Sequence, residues 1–396
     1  MICDVCIDGA RIASVSPSEG AAPGAAGHDL NGALVFPGFV DAHVHLDKAH
    51  TWERAPNRTG TFFDALETLR LDKDNWTSED LHRRAGFSLR CAWEHGTRVV
   101  RTHVDTGIPW GETSHAVMAD LRNQWRGRIA LQTVPLCGIS AYSEADGESL
   151  ADLALRYGAC ALGGWSLITP ELPAQLERLM TLAAERGVGL DLHVDENGDP
   201  KAEVLRTVAE AVLRTGFPFS VVCGHCCSLA VQDPARQRST IALVKEAGIR
   251  VISLPMCNLY LQDRRVAGFP RTPSWRGVTL IQEFLDAGVP VACASDNVRD
   301  AFHPYGDFDA LEVYSQSVRL AHLELRLSES VGVVTSAAAE IVGLPDHGRI
   351  APGAPAHLVV LPARSFSELL SRPCGPRRLV DGETMRDGRP PDFVEL

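Results

Sequence analysis

The sequence predicts an α/β protein, with a parallel sheet of repeated strand and helix units and a smaller β domain assembled from both ends of the chain. Three observations carry this. Short apolar runs alternate with longer amphipathic stretches from about Ala33 onward. Several runs are continuous rather than alternating, as in strands covered on both faces. Histidines and acids recur at the carboxyl ends of those runs. The 396 residues, 45% of them hydrophobic and 22% charged, suffice to bury a large core, and a parallel barrel commonly occupies about 250 residues as one unit.

Taken in chain order, Met1 to Asn31 reads as short strands with turn signals at Asp8-Gly9 and Pro17-Ser18. Eight apolar runs follow: Ala33 to Leu46, Thr97 to Val104, Arg128 to Pro135, Gly158 to Gly163, Val188 to His193, Phe219 to His225, Ile249 to Leu254 and Val289 to Ser295. Ser78 to His95 and Leu172 to Arg186 carry apolar residues at helical spacing and end near Gly96 and Gly187. Strand-like runs return at His357 to Leu361 and Arg378 to Val380, and Pro352-Gly353-Ala354-Pro355 marks a boundary before them. The expected division is a small β domain from residues 1–34 and 351–396 and a catalytic domain over 35–350. Eight units fit a closed barrel or a doubly wound open sheet. Polar residues at the carboxyl ends favour the barrel, because one rim then gathers them.

The 38 Lys and Arg against 50 Asp and Glu give a net charge of -12, which argues against nucleic acid or an anionic membrane as partner. The N-terminus lacks a basic segment followed by an apolar run, and no stretch reaches the roughly 18 apolar residues of a membrane span. Eleven Cys, mostly single in apolar segments, fit reduced thiols in a cytoplasm. Cys223-Gly224-His225-Cys226-Cys227 could bind metal, but residues crowded along one strand point to opposite faces.

The chemistry concentrates at four places. His43 and His45, two apart on a strand, face one side and can converge on a cation, or form a packed polar pair. His193 closes its run and is followed by Val194-Asp195-Glu196, where Glu196 either reaches over a metal or caps the next helix. His225 ends the next run, and Asp296 ends the last one, as a ligand or as a helix N-cap. Four protein ligands plus water suit Zn(II) or Fe(II), with the cation acidifying the water.

This constellation resembles the amidohydrolase superfamily, and within it the cytosine deaminase branch. The resemblance spans nearly the whole chain, through Pro37 to Asp47, Arg101-Thr102-His103-Val104-Asp105, Asp191 to Glu196, Asn258 to Gln262 and Ala294-Ser295-Asp296-Asn297. It implies a distorted (β/α)8 barrel beside a small β-sandwich, with one divalent metal on His43, His45, His193 and Asp296. Glu196 matches the general acid/base and His225 the histidine that positions the attacking hydroxide, with Asp296 taking its proton. The implied reaction is hydrolytic deamination of a small N-heterocycle. Enzymes of this kind are often oligomeric, so a homo-oligomer is compatible. Relatives with two metals share a carboxylated lysine on the fourth strand; none of Lys48, Lys73, Lys201 and Lys245 lies on Gly158 to Gly163, which favours one metal.

Leu136 stands where typical cytosine deaminases place a Gln that reads the pyrimidine edge, Asn297 replaces a second Asp, and Phe302 replaces a Trp. These departures tell against cytosine itself, and the expected substrate is cytosine or a related amino-substituted N-heterocycle. Leu136, Cys137, Asn258, Gln262, Asn297, Phe302 and Trp52 are the candidate pocket residues, with Tyr260 beside them. The run Ala294 to Asp300 also resembles N-isopropylammelide amidohydrolase, which lacks the Glu after the strand-five His. The competing readings are hydrolysis of a non-aromatic cyclic amide or amidine, or of an N-alkylamino-triazine. A Cys137 nucleophile near His103 and a non-catalytic binding protein on the same fold are more remote.

Overall fold

The computed structural model describes residues 2–18, 27–107, 109–266 and 268–396. Residues 1 and 19–26 of the predicted N-terminal β segment lie outside the described residues. The strands run in chain order β1 Cys3–Asp8, β2 Arg11–Pro17, β3 Leu34–Pro37, β4 Phe39–Val44, β5 Thr97–Asp105, β6 Ala130–Leu136, β7 Ala161–Trp165, β8 Gly189–Val194, β9 Val221–His225, β10 Arg250–Ser253, β11 Arg265–Val266, β12 Phe269–Pro270, β13 Val291–Cys293, β14 His357–Leu361, β15 Arg378–Asp381 and β16 Thr384–Asp387.

Eight of these strands form two parallel arcs, β4-β5-β6 and β7-β8-β9-β10-β13. Backbone hydrogen bonds join the arcs at both seams. Trp165 N–H donates to the Cys137 carbonyl at 2.8 Å and Cys160 N–H to that of Thr133 at 2.9 Å. Across the other seam Asp296 N–H donates to the His43 carbonyl at 2.9 Å. The ring closes, and the open-sheet alternative falls away. Helices including Ser78–Glu94 and Leu172–Glu185 pack outside it, at the positions their apolar spacing predicts. Inside its lower end Val40, Ala42, Val99, Val222, Ile252 and Ala292 pack against Ala338, Ala339 and Ile341 of helix Ser336–Ile341, which plugs that end.

The run Ala33 to Leu46, read from sequence as one strand, is two strands in two sheets. It breaks at Gly38, and β3 hydrogen-bonds to β14 in the antiparallel sheet β16-β15-β14-β3. The β1–β2 hairpin packs on that sheet through Ile12, Leu358, Val360 and Val380, forming the small β layer from both ends of the chain.

Candidate metal centre

A β-bulge decides how the first two histidines are presented. Between Asp41 and Val44, three steps along β4 oppose only two on β5, from Val100 to Thr102. Regular alternation from Val40, which packs in the lumen, would turn His43 and His45 outward. The extra residue reverses the phase. His43 therefore lies in the lumen against His103, ring centroids 3.9 Å apart, and under Gly224, where a Cβ would stand 3.0 Å from the His43 ring.

Three Nε2 atoms and a carboxylate oxygen converge there. His43 Nε2 is 3.1 Å from His193 Nε2, and His45 Nε2 is 3.3 Å from it. Asp296 Oδ1 lies 3.2 Å from His45 Nε2 and 3.7 Å from that of His43. Burial, then neighbouring charged groups, pushes the pKa of all three histidines well below the ordinary value, so their lone pairs stay free. Burial likewise raises Asp296 to about 7. Both Asp296 oxygens are buried without a hydrogen-bond partner among the described residues. Imidazole and carboxylate lone pairs facing one point that no protein donor fills are a donor set suited to a divalent cation such as Zn(II) or Fe(II). The fit to one ion is reinforced at β7, where a Cβ on Gly163 would stand 2.4 Å from Val134 and 2.5 Å from the Asp191 carbonyl. No lysine fits there.

The helix-capping alternatives for the two acids are settled locally. Asp195 accepts from Val204 N–H and Leu205 N–H at 2.9 Å each, so it caps the helix Val204–Thr215 and leaves Glu196 free. No helix follows Asp296 before Ala310–Ala321, which Asp309 caps, so Asp296 has no helix to cap; Asp300 accepts from Phe302 N–H at 2.8 Å in the intervening loop. Asp195, His225 and Asp296 all hold positive φ, at 53°, 69° and 61°. Such backbone is uncommon for non-glycine residues and persists where the surroundings over-determine it.

Glu196 sits beside the cluster with 17% of its side chain exposed, and its Oε1 is 3.5 Å from His225 Nδ1. Burial first, then the charge of Asp296, raises its pKa well above the usual carboxylate value. The Asn258 amide nitrogen lies 3.1 Å from His225 Nδ1 and donates to Glu196 Oε1 at 3.4 Å, and Gln262 donates to the Glu196 carbonyl at 3.2 Å. An amide donor at Nδ1 makes that atom an acceptor and leaves the His225 proton on Nε2.

The remaining candidates divide. Leu136 ends β6 half-buried, in register with Asp105. Asn297 turns its amide to Asp300 at 2.7 Å, and Phe302 packs edge-on to Phe62 at 5.8 Å. Trp52 is half-buried, its N–H donating to the Arg299 carbonyl at 2.8 Å, while Tyr260 lies over Arg264 at 4.2 Å. Cys137 is not brought to the cluster. Its side chain packs into the core outside the barrel near Tyr142, and burial pushes its thiol up to about 12, which is poor chemistry for a nucleophile. Sequence reading missed the charges behind the site: Lys48 Nζ is 2.7 Å from Asp105 Oδ1 and 3.4 Å from His45 Nδ1, and Lys73 Nζ is 2.7 Å from Asp105 Oδ2. Lys48 directly after the first motif and Asp105 at a strand end were the available signals.

The amidohydrolase family profile matches residues 144–373. Pterin deaminase of Rhizobium rhizogenes is 44% identical over 399 aligned residues, covering 100% of this chain and 90% of its own. The chain belongs to the amidohydrolase family. N-isopropylammelide isopropyl amidohydrolase of Pseudomonas sp. is 27% identical, covering 84% of this chain and 81% of its own. The crystal structure of 5-methylcytosine deaminase from Klebsiella pneumoniae with 5-fluorocytosine superimposes with a TM-score of 0.87 at 27% identity, covering 99% of this chain and 95% of that one. Membership makes the protein a hydrolase of carbon–nitrogen bonds other than peptide bonds, on a barrel of the amidohydrolase type. Among the described residues no helix is long and apolar enough to cross a membrane.

Proposed function

We propose that this amidohydrolase is a metal-dependent deaminase of an aminated N-heterocycle, and that its substrate is a pterin. The observation that carries deamination is Glu196, a carboxyl with a raised pKa, excused from helix capping and held beside His225 and Asp296. Pterin is favoured over cytosine by the 44% identity across the whole chain to a pterin deaminase, against 27% to the 5-methylcytosine enzyme. Leu136 supports the same choice, since it offers no hydrogen bond to a pyrimidine edge.

In this reading His43, His45, His193 and Asp296 hold one divalent ion, which supplies a Lewis acid that acidifies water. Asp296 accepts a proton from the attacking water. Glu196, protonated in the free site, delivers a proton to the ring nitrogen next to the amino-bearing carbon. His225 offers its Nε2 proton to the incoming oxygen, with Asn258 fixing that tautomer. Water adds its oxygen to the ring carbon, Asp296 passes its proton to the departing amine, which leaves as ammonia, and the remaining hydroxyl proton returns to Glu196 with the ring still closed.

The test is ammonia release by zinc- or iron-loaded protein from pterin, cytosine, isocytosine, an aminotriazine and creatinine. Pterin should give the highest kcat/KM, and silence on all of them would sink the assignment. Glu196→Gln should lower turnover about 10²- to 10⁴-fold while keeping its metal. Loss of metal in that variant would show that its carboxyl is a ligand.

A further inference from the structure

We propose that Trp165 and Gly138 form the face on which the outer ring of a two-ring substrate stacks, so that they set a preference for bicyclic over monocyclic heterocycles. This rests on the reading above for the identity of the substrate, and its test separates the two.

The sheet register places this face. In a parallel pair, residues in register project to the same side. Trp165 is in register with His193 and Gly163 with Asp191, and His193 lies in the lumen, so Trp165 projects to the lumen at its rim. By the same rule Leu136 follows Asp105, whose carboxylate lies beside Lys48 and His45. Gly138 bridges to Trp165, and its missing side chain leaves room for the indole: a Cβ there would lie 3.2 Å from Cζ2 and 3.4 Å from Cη2. One step from a metal ligand, Trp165 is still 49% exposed. A tryptophan that served only to fill the core would not be left so open.

The other side of the centre is occupied. Glu196, Asn258 and Gln262 are tied to one another and to His225, and Phe302 is 8% exposed against Phe62. In this proposal the pyrimidine ring, its amino-bearing carbon at the centre, lies against that polar side, and the ring fused to it lies over the half-exposed indole of Trp165, one strand from Leu136. Flat heteroaromatic rings stack on indole by offset π contact and burial of apolar area.

Affinities of pterin and isocytosine, the latter being the amino-oxo pyrimidine alone, are to be measured by calorimetry on metal-loaded Glu196→Gln protein, with and without a second substitution. Trp165→Ala should weaken pterin at least about tenfold, the size that stacking on an aromatic side chain supplies, and isocytosine less than about twofold. Gly138→Val, which displaces the indole, should act in the same direction, and Trp165→Phe should restore most pterin affinity. Should Trp165→Ala fail to fold, Trp165→Leu keeps the bulk without the ring and carries the same expectation. Equal weakening of both ligands, no weakening, or no binding of pterin at all would overturn the proposal. Trp165-dependent pterin binding in a protein that releases no ammonia from any heterocycle would sink the deaminase reading and leave this one standing. Pterin deamination with an unchanged affinity ratio would do the reverse.

Discussion

The mouth of the barrel and the Arg377, Asp309 and His95 cluster at its join to the small sheet both bury ionisable side chains, and the two clusters treat them in opposite ways. At the join, Arg377 forks onto Asp309 at 2.7 and 2.8 Å, and His95 donates to Asp307 at 2.8 Å. Asp309 also caps helix Ala310–Ala321, and its pKa is lowered despite burial because Arg377 and His95 face it. At the mouth, both Asp296 oxygens and His225 Nε2 are buried without a hydrogen-bond partner, and burial pushes His43, His193, His225 and Asp296 toward their neutral forms. Buried polar groups left unpaired cost about 1–3 kcal/mol each, so a saturated cluster holds the fold while an open one is held by it until a guest arrives. The Lys48, Asp105 and Lys73 cluster lies at the mouth beside His45 yet belongs with the saturated kind, its ion pairs complete at 2.7 Å.

The largest effect that tests this contrast is at the mouth. His193→Ala should remove the metal and lower ammonia release by at least about 10³-fold, since the acidified water is lost with it. In metal-free protein the same substitution should leave the melting temperature nearly unchanged, because it deletes one of the groups that crowd an unfilled centre. Metal analysis by plasma emission together with calorimetry checks both halves. A variant that keeps its metal and its activity would dismiss His193 as a ligand. At the join the order reverses. Arg377→Ala leaves Asp309 buried without its main partner and should cost about 3–5 kcal/mol in urea unfolding. The folded fraction should keep its metal content and its specific activity, because neither residue reaches the lumen. A drop in activity without a loss of stability would erase the distinction between the two regions.

Much of this site was legible from residues, and the rest needed contacts far apart in the chain. The eight apolar runs fall close to β4 through β10 and β13, and His43, His45, His193 and Asp296 converge as their strand-end positions implied. Local pattern could not show the bulge that turns His43 inward, since that depends on how β4 registers against β5. Nor could it split Ala33 to Leu46 at Gly38, because only pairing with β14, more than 300 residues later, separates β3 from β4. Closure of the ring was undecided for the same reason. Cys137 was misplaced because a residue just past a strand end has no fixed face. Whether Glu196 reaches the centre or caps the next helix was open from sequence, and Asp195, at φ 53°, takes the capping role instead.

The smallest expected effect concerns pH at the join. His95 has a raised pKa: burial opposes its charge, but Asp309 and Asp307 outweigh it. A group whose folded pKa lies above its unfolded value stabilises the fold fully below the unfolded value, and that contribution fades as pH rises through the folded one. Removing the imidazole with His95→Gln should therefore cost most in mildly acidic buffer, on the order of 1 kcal/mol for one charged hydrogen bond, and little in alkaline buffer. Urea midpoints of both metal-free proteins across that range give the difference directly, because the titration of the mouth histidines is common to both and cancels. A cost that is flat with pH would mean that His95 acts only through its packing and its bond to Asp307. A cost that grows toward alkaline pH would reverse the sign and place the charge-stabilised cluster elsewhere in the molecule.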